Sequence, residues 1–379
     1  MKLFRLNRPR CTAALACFVA SIGAGEVHAQ SSVTLYGLIS VGIGYLSNQN
    51  GKSLVSVVNG PEQLPRFGLK GQEDLGGGNR AIFTLENGFS ITNGTLGQGG
   101  RLFGRQAFVG LENQQYGTIT AGRQYDEMVQ QLYWTDSAVQ FASFYARVGD
   151  SDNIFNTLRF NNSVRYKSPT VAGFSFAGQY AFSNLAGGFS DNSGYSVGVT
   201  YQKDRLRAAV AMSQYNRPAS TTNPAGAVDN SSYGFTSPFV QSLGGAAASK
   251  QRIVGAGVGY DFGFLNATLG YSNVLFDYLD SSGLRVQNAE LVLTKQLTPS
   301  LLLGTAYIYT VGRYSTDTHV HYNQVNAGAV YSLSKRTDIF LTGSVQRAGG
   351  AAEHAQIYST SPSSSKVETA ITSGIRVRF

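Results

Sequence analysis

Apolar and polar residues alternate along most of this chain. In "SVTLYGLISVGIGY", Val33, Leu35, Ile39, Val41, Ile43 and Tyr45 fall on one face, and Thr34, Tyr36, Ser40 and Gly42 on the other. "TLRFNNSVRY" sets Phe160, Val164 and Tyr166 against Arg159, Asn161, Ser163 and Arg165. "GFSFAGQYAF" and "GYSVGVTYQ" repeat the pattern, as do segments 253–262, 265–271, 287–296, 301–309, 324–333 and 337–346. A period of two is the period of a β-strand with two unlike faces, and few stretches show the helical period of 3.6. The last residues, "ITSGIRVRF", keep the pattern to the end: Ile375, Val377 and Phe379 alternate with Arg376 and Arg378.

The connectors alternate as well. Short turns ("EDLGGGNR", "NQQYG", "SPTVAG", "QKDRL", "YDFGF", "QLTPS", "LSKRTD") take turns with longer segments at 46–63, 87–103, 126–156, 184–194, 216–250, 276–283, 312–320 and 347–366. Seven short and eight long connectors imply about sixteen antiparallel strands, short turns on one side and long loops on the other, as in a transmembrane β-barrel. The apolar face then meets lipid and the polar face a water-filled lumen. A barrel in hydrocarbon can leave no edge unpaired, so the last strand must pair with the first, which accounts for an apolar final residue.

Composition agrees. Charged residues are 14% of the chain, against about 25% in soluble domains, and Gly, at 45 of 379, is near twice its usual share. After the first thirty residues there is no run of about 18 apolar residues, so no transmembrane helix is expected. The N-terminus reads as a secretory signal peptide over residues 1–29. Lys2, Arg5, Arg8 and Arg10 precede the apolar "CTAALACFVASIGAG", and Val27 and Ala29 are the small residues before cleavage at Gln30. Both cysteines, Cys11 and Cys17, lie in that leader, so the mature domain, 30–379, has no thiol for a disulfide. It keeps 26 basic against 21 acidic residues, a net charge of +5. A secreted, soluble β-sandwich is the alternative, but it predicts more surface charge and no regular short–long loop rhythm.

Six segments, "SSVTLYGLIS", "PRFGLKGQEDLGGGNRAIFTLENGF", "GRQAFVGLENQQYGTITAGRQ", "NNSVRYKSP", "LSKRTDIFLTGSVQ" and "GIRVRF", together resemble the Gram-negative general porins of the beta-proteobacterial kind. The resemblance spans the mature chain. It implies an all-β, sixteen-stranded barrel in the outer membrane lipid bilayer, a homotrimer, and a third long loop folded into the pore. It also implies that Phe379, Val377 and Ile375 form the terminal signature read by the barrel-assembly machinery.

Candidate site residues follow the same alternation. Arg66 shares a face with Gly68 and Lys70, Arg165 shares one with Ser163 and Asn161, and Arg105 opens a strand after a long loop. These three fall on strands two, four and six of the count, and alternate strands lie about 10 Å apart, so they form a ladder along one wall. In the porins this chain resembles, the matching arginines line the narrow part of the pore; Arg123 and Lys70 are expected to join them. The loop 126–156 holds the chain's one Trp, Trp134, with Tyr133, Phe141, Phe144 and Tyr145, much apolar area for an exposed loop. It also carries Asp126, Glu127, Asp136, Asp150 and Asp152, a few of which are expected to face the arginines across the lumen.

Catalytic chemistry finds no support. The mature histidines are His319, His321 and His354, there are no Cys ligands, and neither His-Glu-x-x-His nor a nucleophile elbow occurs. No metal or cofactor is expected. "DLGGGN" reads as a tight turn, not a phosphate loop, because it joins two strands and precedes no helix. A pI of about 9.4 with dispersed charge in an exported chain argues against nucleic acid. The expectation is a passive, anion-preferring channel for small hydrophilic solutes and inorganic ions. The alternatives are a solute-selective porin with a binding track and, less favoured, a non-conducting barrel adhesin.

Overall fold

The computed structural model describes residues 32–218, 220–229, 233 and 237–379. The signal peptide and its Ala29/Gln30 cleavage site lie outside the described residues. Seventeen antiparallel strands form one closed sheet. They are β1 (Ser32–Gln49), β2 (Lys52–Asn59), β3 (Arg66–Gly76), β4 (Asn79–Gly88), β5 (Gln106–Asn113), β6 (Gly117–Gln124), β7 (Phe160–Lys167), β8 (Phe174–Ala181) and β9 (Ser193–Lys203). Then follow β10 (Leu206–Asn216), β11 (Ala248–Asp261), β12 (Asn266–Tyr278), β13 (Gly283–Thr298), β14 (Leu301–Tyr314), β15 (His319–Ser332), β16 (Thr337–Gly350) and β17 (Val367–Arg378).

Seventeen strands make a sixteen-stranded barrel because β2 and β3 are two halves of one stave. The second half of β1 pairs with β2 and its first half with β3. The break between them, "GPEQLP", contains two prolines, which have no N–H to give a ladder. Gly60 turns the chain with a φ of +61°, a conformation other residues resist. The break turns Glu62 inward, where it is buried.

Closure rests on the final strand. β1 pairs with β17 from Leu38–Arg378 to Leu46–Ala370. Phe379 continues the ladder: its N–H donates to the Gly37 carbonyl and its carbonyl oxygen accepts the Gly37 N–H, both at 3.0 Å. Gly37 also leaves room for the Phe379 ring, since a Cβ there would sit 2.5 Å from it.

The two faces of the sheet differ as the alternation requires. Leu291, Tyr307, Tyr309, Leu341, Ile375 and Val377 are exposed on the outside, while Asn288, Glu290, Thr310, Asn326, Thr342 and Arg376 are buried on the inside. The exposed apolar set belongs in lipid. The turn of Gly76, Gly77 and Gly78, all at positive φ, joins β3 to β4 as read from the sequence.

Two sequence expectations change. Segments 46–63, 276–283 and 312–320 are not long loops: β1 and β2, β12 and β13, and β14 and β15 continue as hairpins through most of them. The phase of "TLRFNNSVRY" also slips. Gly122 faces Ser163 but Gln124 faces Phe160, so β7 carries one extra residue beside Asn162, whose φ is +51°. That β-bulge turns Phe160 inward, against Tyr215 at a ring distance of 5.4 Å.

Candidate functional site

The connector between β6 and β7, residues 125–159, carries short helices that could not persist alone. In α1 (Glu127–Leu132), the Asp126 carboxylate caps the N-terminus by accepting the Val129 N–H at 3.1 Å. In α2 (Ser137–Gln140), Asp136 does the same for the Ala138 N–H at 2.8 Å. Met128 and Leu132, one helical turn apart, are fully buried against Gly255 of β11. Phe141 is fully buried against Gly304 of β14 and Gly328 of β15, where any side chain would overlap its ring. Hydrogen bonds complete the seam. Ser143 pairs with Thr342 at 2.9 Å and the Tyr145 hydroxyl with Thr372 at 2.7 Å. The Asn326 amide donates to the Tyr145 carbonyl at 2.7 Å. These partners are the buried positions of the strands, so the connector lies against the inner face of the wall.

Its tightest anchor is Arg147, which the sequence did not single out. The guanidinium lies 2.9 Å from Glu290 of β13, 3.3 Å from Asp152 and 3.9 Å from Asp136, with every side chain at most 1% exposed. One cation among three carboxylates leaves an excess of negative charge. Burial, then the Glu290 charge, accordingly raises the Asp136 carboxyl well above the usual range, with Arg147 acting against both. Burial and the neighbouring Asp152 push Asp150 up to about 7, although it accepts the Phe155 and Thr157 N–H groups at 2.9 Å.

The expected face-to-face array of loop acids and wall arginines is therefore largely absent. Among these acids only Glu127 pairs with one of the expected wall arginines, 2.5 Å from Arg165 of β7. Asp126 accepts from Ser213 at 2.7 Å and from Tyr215 at 2.6 Å. Asp136 and Asp152 gather around Arg147, and Asp150 holds a turn. Loop docking needs these acids more than the lumen does, because a buried carboxylate is costly unless it is paired or hydrogen-bonded.

The basic residues divide into two groups. Arg66, Arg105 and Arg159 line a common cavity of about 670 Å³. Arg105 donates to Glu86 at 2.8 Å and to the Tyr125 hydroxyl at 2.7 Å. Arg159 lies over the Tyr125 ring, 4.9 Å from its centroid. The Nε atoms of Arg66 and Arg159 are buried and have no hydrogen-bond partner among the described residues. Arg123 is elsewhere: it pairs with Asp229 at 2.8 Å, a carboxylate that also holds Arg101 at 2.7 Å. Arg165 is bound to Glu127, and Lys70 is exposed with its ammonium 5.5 Å from the Tyr36 ring centre.

Arg159 joins the group that sequence reasoning had assigned to Arg66, Arg105 and Arg165. Its signal was its place beside the loop. Among the described residues Glu62 is the one acid lining the cavity, and it lies 3.4 Å from Arg376. A charged residue between two prolines in a strand gap was a signal that could have been used. Tyr133, Phe144, Phe155 and Tyr358 line the same cavity.

Comparison with known proteins places this arrangement. The family model for Gram-negative porins matches residues 12–351. The chain is 32% identical over 286 residues to an outer membrane porin protein of Bordetella pertussis, covering 69% of this chain and 68% of the relative. It is 32% identical over 352 residues to a major outer membrane protein P.IB of Neisseria gonorrhoeae, covering 87% and 93%. Among solved structures, an anion-selective porin from Comamonas acidovorans superposes with a TM-score of 0.75 at 22% identity, covering 92% of this chain and all of that one.

Proposed function

This chain belongs to the Gram-negative porin family, an outer-membrane channel by that membership, and we propose that its lumen prefers anions, with the preference set at the Arg66–Arg105–Arg159 wall. The carrying observation is the charge of the cavity lining: three guanidiniums, of which Arg105 is neutralised by Glu86, and one carboxylate, Glu62, which Arg376 neutralises, leaving Arg66 and Arg159 in excess. Low-dielectric walls focus the field of such charges into the water between them. Net charge elsewhere matters less, since screening ends within about 8–10 Å at physiological salt. The solved neighbour's description as anion-selective supports the same reading. Flux is passive and no bond is made or broken, in keeping with a family of channels.

Residues 126–156 set the size limit in this reading, because their docking against the inner wall fills part of the cross-section. The assembly is a homotrimer, residues 1–29 are removed on export, and the barrel-assembly machinery recognises Phe379, Val377 and Ile375. The test is a reversal potential across a planar bilayer in a tenfold KCl gradient. Wild type should give an anion-directed potential that shrinks at high salt. The Arg66→Gln, Arg159→Gln double variant should shift it toward cations. A double variant that conducts with the wild-type potential overturns the assignment.

A further inference from the structure

The same cavity has a second wall that charge selection does not require. Tyr133, Phe144 and Phe155 line the cavity as well and are each only part-buried. Phe144, Phe155 and Tyr358 form a connected edge-to-face array. Phe144 and Phe155 lie 6.4 Å apart at 87°, and Phe155 and Tyr358 lie 5.2 Å apart at 82°. The Tyr358 hydroxyl is tied to Thr157 at 2.7 Å, which holds the array in place. An inorganic anion gains nothing from aromatic faces, whereas wetted rings in a narrow passage are a standing hydrophobic cost. A solute that covers them while offering acceptors to the arginines satisfies both walls.

We propose that this cavity is a subsite for aromatic monocarboxylates, with the carboxylate on Arg66 and Arg159 and the ring against Phe144 and Phe155. The proposal deepens the anion-channel reading and rests on it. A carboxylate is planar and accepts the two-pronged donation that guanidinium geometry offers. The Arg66 guanidinium makes no hydrogen bond among the described residues, whereas Arg159 already donates to the Thr157 carbonyl at 2.9 Å and to Asn156 at 3.1 Å, so Arg66 is the principal donor and Arg159 supports it. Arg105 is less available, because Glu86 and Tyr125 already hold it; it supplies charge rather than a donor. At about 670 Å³ the cavity falls in the range of small-molecule sites, and a benzoate-sized solute fills only part of it, so it can leave as readily as a channel demands. Ring packing in offset or edge-on geometry adds to simple burial, which gives an aromatic acid an advantage over an aliphatic one of equal charge.

The test uses the full-length porin in planar bilayers, with ion current in KCl read as sodium benzoate, sodium acetate, cyclohexanecarboxylate or benzyl alcohol is added. Benzoate should depress the current at concentrations at least tenfold below acetate and several-fold below cyclohexanecarboxylate. Benzyl alcohol, which lacks the charge, should act no more strongly than acetate. In Phe144→Ala and Phe155→Ala the benzoate-to-acetate ratio, taken against each variant's own current, should fall toward one. Should either fail to insert, Phe144→Leu and Phe155→Leu keep the bulk, lose the ring face and give the same comparison. Equal depression by benzoate and acetate in wild type overturns the subsite, as does an undiminished ratio in the variants. The reversal potential measured before any probe is added reports separately on the anion-channel reading, so a cation-directed potential would refute that reading and not merely the subsite.

Discussion

Replacing Arg147 with Met should loosen the pore loop while leaving the barrel closed. Arg147 sits within 2.9–3.9 Å of Glu290, Asp152 and Asp136, and none of the four side chains is more than 1% exposed. Removing the cation strands three carboxylates that already outnumber it. Breaking a buried ion pair by deleting one partner costs about 3–5 kcal/mol. At about 1.4 kcal/mol per factor of ten, the docking equilibrium of residues 126–156 should weaken by two to three and a half orders of magnitude. The barrel ladder does not involve this side chain, so heat-modifiable mobility should persist.

The sign of the pH response follows from the same cluster. Asp136 is already raised by burial and Glu290, and loss of Arg147 removes the influence that opposes them. An acid whose pKa is raised in the docked state favours docking below its ordinary value and loses that support as pH rises through the raised one. The variant should therefore conduct more, with noisier openings and easier proteolysis of the loop, at neutral pH, and return toward wild type on acidification to about pH 4, near the ordinary carboxylate pKa. Single-channel recording and limited proteolysis across that range provide the readouts. An Arg147→Met channel with wild-type conductance and a wild-type pH profile would refute the claim that this cluster holds the loop.

Deleting Phe379 removes two backbone hydrogen bonds to Gly37 and the ring that covers it, and should lower the yield of heat-modifiable barrel in the outer membrane more than it lowers total expression; equal yields would count against a role in closure. Gly304→Leu places a side chain where the Phe141 ring lies, and should cost about 1–3 kcal/mol in loop docking, visible as increased current noise without loss of the barrel. Excising residues 137–146 should raise conductance and let larger sugars through in liposome swelling; an unchanged exclusion limit would place the size filter elsewhere.

Much of the architecture was legible along the chain because each strand has two different solvents. Lipid on one side and water on the other impose a period of two, and that signal survives a one-residue reading of Leu291, Tyr307 or Ile375. The terminal Phe379 was readable for the same reason, since a strand that closes a barrel cannot end in water. Where the strands rise above the membrane the contrast fades, and the hairpins at 46–63, 276–283 and 312–320 read as loops. The phase of Phe160 was hidden by a bulge at Asn162, whose cause lies in its pairing with β6.

The site divides the same way. Arg66 and Arg105 could be placed on one wall from alternation and strand count, because both depend on local pattern. The partners of the loop acids could not. Asp136 and Asp152 meet Glu290, and Asp126 meets Ser213 and Tyr215, across separations of 87 to 154 residues in sequence. Arg147 and Arg159 gained their roles only when the connector turned back against the inner wall. Periodicity reports which medium a residue faces. Which charge it meets depends on closure of the barrel, and that brings together segments that share no local signal.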